Sequence, residues 1–222
     1  MIPIITIDGP SGSGKGTIAQ RLAEQLDWRL LDSGAIYRVL GLMVERAGIG
    51  VDQVSKIEKL AESMPLTFDQ GRVYLGQEDV SRAIRTETAG NLASKVAAIP
   101  VVRAALLAWQ RDYARLPGLV ADGRDMGTVV FPQAGLKIFL TASAEERAQR
   151  RYKQLKEKGL SVNLADLAAE IQERDARDSS RSVAPLKPAD TAVVVDSTSM
   201  TIDEVTALAL GEARKTFPDL VV

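Results

Sequence analysis

Between residues 9 and 17 the chain reads Gly9-Pro10-Ser11-Gly12-Ser13-Gly14-Lys15-Gly16-Thr17, a run suited to holding phosphate. Four of the eight residues from 9 to 16 are glycine, against about 0.6 for a chain with 17 glycines in 222 residues. Glycines let consecutive backbone N–H groups turn inward on a phosphate chain. A helix amino terminus adds positive potential, and Lys15 can reach the outer phosphates. Thr17 is then the hydroxyl on the Mg²⁺ side. The common pattern puts Ser or Thr directly after the lysine, whereas Gly16 intervenes here.

Further arginines suit a second anion. Asp32-Ser33-Gly34-Ala35-Ile36-Tyr37-Arg38 places Arg38 about one turn into a helix, where a guanidinium can grip phosphate with two parallel hydrogen bonds. Asp122-Gly123-Arg124-Asp125-Met126-Gly127 follows an apolar run and offers Arg124 as another such fork. Arg147, Arg150, Arg151, Lys153, Lys156 and Lys158 make one basic helix, and Arg174, Asp178 and Arg181 share a helix face at spacings of four and three. A solvated face explains any single lysine of the basic helix equally well. Arg174 and Arg181 carry more meaning, because phosphoryl transfer runs on positioning and electrostatic clamping.

Elements must place these groups on one edge. Ile2 to Ile7 is a β-branched run fit for a strand buried on both faces, and Ile18, Leu22 and Leu26 mark a helix directly after the glycines. Leu30-Leu31, Leu119 to Ala121, Leu136 to Leu140 and Val193 to Val195 read as further strands. Helices are expected from Ile36 to Ala47, Val54 to Met64, Thr88 to Ala98 and Val101 to Leu116, the last two separated by Pro100. Leu66 to Phe68, a turn at Gln70-Gly71, and Val73 to Leu75 read as an inserted hairpin. Ser143 caps the basic helix, which ends near Lys158-Gly159; Asn163 caps the next helix, and Thr201 with Glu204 the last. The pattern implies an α/β fold: a parallel five-stranded sheet flanked by helices, with a small α+β insertion and a helical lid.

Composition narrows the chemistry. The chain has 28 basic and 29 acidic residues, a net charge of −1, and neither cysteine nor histidine. Disulfides, zinc sites, thiol nucleophiles and Ser–His triads are excluded. Near-zero charge gives no general pull toward nucleic acid or anionic membrane. The first apolar run is too short for a signal peptide and nothing approaches a spanning helix, so a cytoplasmic protein without a membrane partner is expected.

Four strings, residues 7–17, 31–38, 121–132 and 173–181, together resemble the bacterial cytidylate kinases, within the nucleoside monophosphate kinases, in order and spacing over essentially the whole chain. The resemblance implies transfer of the γ-phosphate of ATP, as its Mg²⁺ complex, to CMP or dCMP. It assigns Gly9 to Thr17 and Arg151 to ATP. Arg38, Arg124 and Arg181 would hold the acceptor phosphate; Ser94, Arg103 and Asp125 would read the cytosine; Arg174 and Asp178, with Ser33, would meet the sugar. Lys15, Arg124, Arg174 and Arg181 would carry catalysis. Ser94 and Arg103 rest on the resemblance alone. Asp122 is either an acid that orients Mg²⁺ through water or a ligand-side partner. The implied division is a core of residues 1–33, 86–145 and 182–222, a monophosphate-binding region at 34–85 and a lid at 146–181, working as a monomer. A kinase of another acceptor, or a slow nucleotide-dependent switch, are the competing readings; the chain contains no Asn-Lys-x-Asp motif to favour the switch.

Overall fold

The computed structural model describes residues 2–219 except Gln70, Lys158 and Leu160, with Glu87 described in its backbone only. Gln70 of the expected turn and Lys158 of the expected helix end therefore lie outside the described residues. The contacts divide the chain into two compact units, residues 1–31 with 114–222, and residues 32–113.

In the first unit β1 (Ile4–Asp8) leads through the glycine run into α1 (Lys15–Leu26), and β2 (Arg29–Asp32) follows. The second unit holds α2 (Ser33–Arg46), α3 (Val54–Glu62), β3 (Leu66–Asp69), β4 (Arg72–Leu75), β5 (Glu78–Asp79), α4 (Glu87–Val96) and α5 (Pro100–Asp112). The chain then returns with β6 (Leu119–Gly123), β7 (Leu136–Thr141), α6 (Ala144–Glu157), α7 (Leu164–Ser179), β8 (Val193–Asp196) and α8 (Ile202–Thr216).

The main sheet is five-stranded in the order β2-β6-β1-β7-β8, and β1 pairs in parallel with β6 and β7. Its central strand is buried because helices cover it: Ile5 and Ile7 are fully buried and share a core with Ile18 and Leu22 of α1, Ile138 of β7 and Val205 and Ala209 of α8. Each such side chain contributes about 1.5–3 kcal/mol. The caps fall where the sequence places them. Ser143 Oγ accepts from Glu146 N at 3.2 Å, Asn163 Oδ1 accepts from Ala165 N at 2.8 Å, and Thr201 and Glu204 form a reciprocal capping box.

In the second unit the expected hairpin gains a third, two-residue strand, β5, so the small sheet runs β3-β4-β5 in antiparallel pairs. Pro100 opens α5 at its first turn, where its missing N–H costs nothing. That helix stops at Asp112 rather than Leu116. Gly41 of α2 lets α4 come close: a Cβ there would lie 3.1 Å from Leu92 Cβ and 3.2 Å from the Ala93 nitrogen. This packing, invisible in local pattern, groups residues 86–113 with 34–85.

Candidate active site

The parallel register sets Asp8 beside Gly123, so the glycine run after β1 and the Arg124–Gly127 segment after β6 leave the same strand-end edge. Ligands of open α/β sheets bind along that edge. Gly12 and Gly14 have φ of +78° and +89°, a left-handed backbone that a side chain would strain. Gly9 is needed for space, since a Cβ there would lie 2.0 Å from the Leu140 carbonyl oxygen. Lys15 folds back over the loop, donating to the Pro10 carbonyl at 3.3 Å, with its Nζ 4.0 Å from Asp122 Oδ1. A Cβ on Gly16 would stand 3.2 Å from Asp122 Oδ2, so Gly16 lies against that carboxylate; Thr17 is exposed on the first turn of α1.

Asp8 is buried and accepts from the Met126 and Gly127 nitrogens, each at 2.8 Å. Its pKa is pushed up to about 7, because burial disfavours the charge and the nearby Asp125 and Asp122 repel it, against the pull of the two N–H groups. The segment it grips is a short π-helical turn, Met126–Val130, in which Val130 N bonds back to Asp125 O. Gly127 belongs there because a Cβ would press to 2.8 Å from Thr6 Oγ1. Asp125 and Asp122 are both buried at this edge.

The second cluster of this unit centres on Asp178 of α7. Arg124 Nε donates to its Oδ2 at 2.9 Å and Arg181 Nη2 to its Oδ1. Burial raises the Asp178 pKa, but Arg124, Arg181 and Arg174 together outweigh it and hold the carboxyl below its usual value. The structure thus brings Arg124, Arg174 and Arg181 to Asp178, although α7 ends at Ser179 and Arg181 lies just beyond the helix rather than on its face.

Two arginines of the basic helix touch the loop. Arg147 donates to Ser11 O at 3.0 Å and Arg150 to Ser13 O at 3.2 Å, while Arg150 also bonds Ser197 O at 2.6 Å. Arg151, assigned to ATP, instead donates to Gln154 Oε1 at 3.3 Å on an exposed face. Sequence reasoning did not single out Arg147 or Arg150 as neighbours of the loop. One signal was present: Arg147 shares the buried face of Ala148 and Leu155, where an arginine needs partners.

In the second unit, Asp32 caps α2 by accepting from Ala35 N at 2.9 Å, which sets buried Ser33 in the first turn. Arg38 donates to the carbonyls of Ile84 at 2.9 Å and Thr86 at 3.2 Å. Gly90 leaves room for its guanidinium, 3.1 Å from where a Cβ would be. Ser94 on α4 and Arg103 on α5 are buried; Arg103 donates to Ala97 O at 3.1 Å and lies 5.6 Å from the Tyr37 ring centroid. That cation–π partner was not anticipated.

A parallel sheet whose first strand opens into a glycine loop and helix, with a lysine over the loop and arginines along the same edge, defines a P-loop phosphotransferase. The chain belongs to the cytidylate kinase family, whose model matches residues 5–215. It is 59% identical over 223 residues to the cytidylate kinase of Aeromonas salmonicida, covering 99% of this chain and 97% of that one. Identity to the cytidylate kinase of Marinomonas sp. is 56% over 218 residues, 96% of each chain. Among solved structures, an uncharacterized protein from Eubacterium ventriosum superposes with a TM-score of 0.52 at 11% identity, covering 97% of this chain and 99% of that one, a likeness of fold alone. No single described helix is long and apolar enough to cross a membrane.

Proposed function

We propose that the protein transfers the γ-phosphate of ATP to CMP or dCMP, giving ADP and CDP or dCDP. The observation that carries this reading is the pairing, on one sheet edge, of a backbone-lined phosphate loop with the Arg124–Asp178–Arg181 cluster. One binds a polyphosphate, and the other supplies guanidiniums for a second phosphate.

In this reading the N–H groups of Gly9 to Thr17 cradle the donor phosphates and Lys15 leaves Pro10 O to meet the transferring group. Arg151 joins the donor side. Arg38, Arg124 and Arg181 hold the acceptor phosphate, Arg174, Asp178 and Ser33 meet the sugar, and Ser94, Arg103 and Asp125 read the base. Cytosine pairs an amine donor with acceptors, which a carboxylate and an arginine complement. Among the described residues no cluster of three His, Cys, Asp or Glu is placed to hold a metal ion. The Thr17 hydroxyl would hold the Mg²⁺ that travels with ATP, with Asp122 orienting it through water. The ion would offset charge on the donor phosphates.

Residues 34–85 are read as the monophosphate-binding region and 146–181 as a lid whose closure excludes water. The active form is read as a monomer working in the cytoplasm on its metabolite substrates. The test is the initial rate of ADP formation from Mg-ATP with CMP, dCMP, UMP, AMP or no acceptor. Many-fold stimulation by CMP and dCMP alone is expected. Stimulation by another acceptor would discard the base-reading roles, and slow hydrolysis indifferent to every acceptor would overturn the reading.

A further inference from the structure

We infer that Arg147 is a positioning residue that couples the donor and acceptor halves of the first unit, through a brace from the phosphate loop to α7. Arg147 is 5% exposed, and each of its guanidinium nitrogens has a partner on a different segment. Nε donates to Ala142 O at 2.9 Å at the end of β7, Nη1 to Ser11 O at 3.0 Å in the loop, and Nη2 to Asp175 Oδ2 at 2.5 Å on α7. The loop is seated on the same side chain: a Cβ on Gly12 would stand 3.1 Å from Arg147 Cβ.

Asp175 lies three residues before Asp178 on α7, and Asp178 holds Arg124 and Arg181. The chain of contacts Ser11–Arg147–Asp175–α7–Asp178 therefore joins the loop that meets ATP to the arginines that meet the acceptor phosphate. A planar fork can hold a carbonyl and a carboxylate at once in fixed geometry, which a lysine's point charge cannot. The brace's consequence is that ordering the loop around a nucleotide biases α7, and the reciprocal bias must be equal.

This inference rests on the proposed division of donor and acceptor residues, and the test separates the two. Binding of CMP is measured by calorimetry with and without a saturating Mg²⁺ complex of the β,γ-imido analogue of ATP, in the wild-type protein, in Arg147→Lys, and in the paired Arg147→Met/Asp175→Leu variant. The pair removes both charges together, since a half-buried carboxylate left without its partner would by itself lower stability. In the wild type the analogue is expected to tighten CMP by a factor within the usual coupling range of about 5 to 150. The paired variant should bring that factor to about 2 or less while each ligand alone binds within roughly threefold of wild type, and Arg147→Lys should fall between. A wild-type factor of one, or a paired variant that keeps the wild-type factor, overturns the brace. If the paired variant does not fold, an undiminished factor in Arg147→Lys overturns it equally. Failure of wild-type protein to bind CMP at all would instead count against the acceptor reading.

Discussion

Asp8 and Asp178 are both buried carboxylates in the same unit, and their environments push them in opposite directions. Asp8 accepts from two backbone N–H groups beside neighbouring acids, and its pKa rises to about 7. Asp178 is surrounded by guanidiniums and is held below its ordinary value. The difference marks two ways of building an anion site. At the glycine loop the main-chain N–H groups supply the positive potential, with Lys15 over the loop and Arg147 and Arg150 bonded to its carbonyls. At α7 it comes from side chains whose charges are already compensated by Asp178. At the first, Lys15 lies 4.0 Å from Asp122 Oδ1, whereas at the second Asp178 holds Arg124 and Arg181 directly, and a phosphate would compete with it there.

The sharpest way to break this comparison is at Lys15. Lys15→Ala should lower kcat by at least about 10²–10³-fold, the usual loss when one donor to a transition-state charge is removed. Wild-type ADP formation in this variant would remove the loop from the reaction.

Next comes Asp178→Ala, which leaves buried guanidiniums without their shared carboxylate and should destabilise by about 3–5 kcal/mol in urea denaturation. It should also raise the KM for CMP and for dCMP by different factors. Equal changes would remove Asp178 from the sugar.

Gly9→Ala tests the backbone-built side. Its Cβ would meet the Leu140 carbonyl at 2.0 Å, so a loss of about 3 kcal/mol is expected. Unchanged stability would mean that the loop relaxes freely and is no rigid cradle.

The pH dependence carried by Asp8 sharpens the comparison further. Its pKa is 3.8 when unfolded and about 7 when folded, so its protonated form stabilises the fold fully below pH 3.8. That contribution is lost as pH rises through about 7. The lowered Asp178 behaves oppositely, stabilising above its unfolded value of 3.8 and losing that contribution on further acidification. Urea unfolding should show wild type losing stability relative to Asp8→Asn between pH 5 and pH 8. A constant difference would contradict the raised value.

The same contrast explains what could be read from the sequence. A backbone-built site advertises itself, because glycines at 9, 12 and 14 answer steric demands that no other residue meets. The sheet was legible for a similar reason, its strands being apolar runs, with β1 and β6 buried on both faces. Side-chain sites announce themselves less well. Arg147 and Arg150 look like Lys153 and Lys156 until tertiary contacts select them. β5 is two exposed acidic residues, Glu78 and Asp79, with no strand-like pattern, and it exists because β4 offers it an edge. Met126–Val130 is rich in β-branched residues, yet the grip of Asp8 on two of its nitrogens winds it into a π-turn. Ser94 and Arg103 carry no local signal, being residues on otherwise ordinary helices.

The most direct test of this two-site account is the binary affinity of Lys15→Met and Arg181→Gln for each ligand separately, measured by calorimetry with the Mg²⁺ complex of the imido analogue and with CMP. The account predicts that the Lys15 variant loses about tenfold or more for the analogue while holding CMP within about threefold, and that the Arg181 variant does the reverse. Equal losses of both ligands in either variant would contradict it.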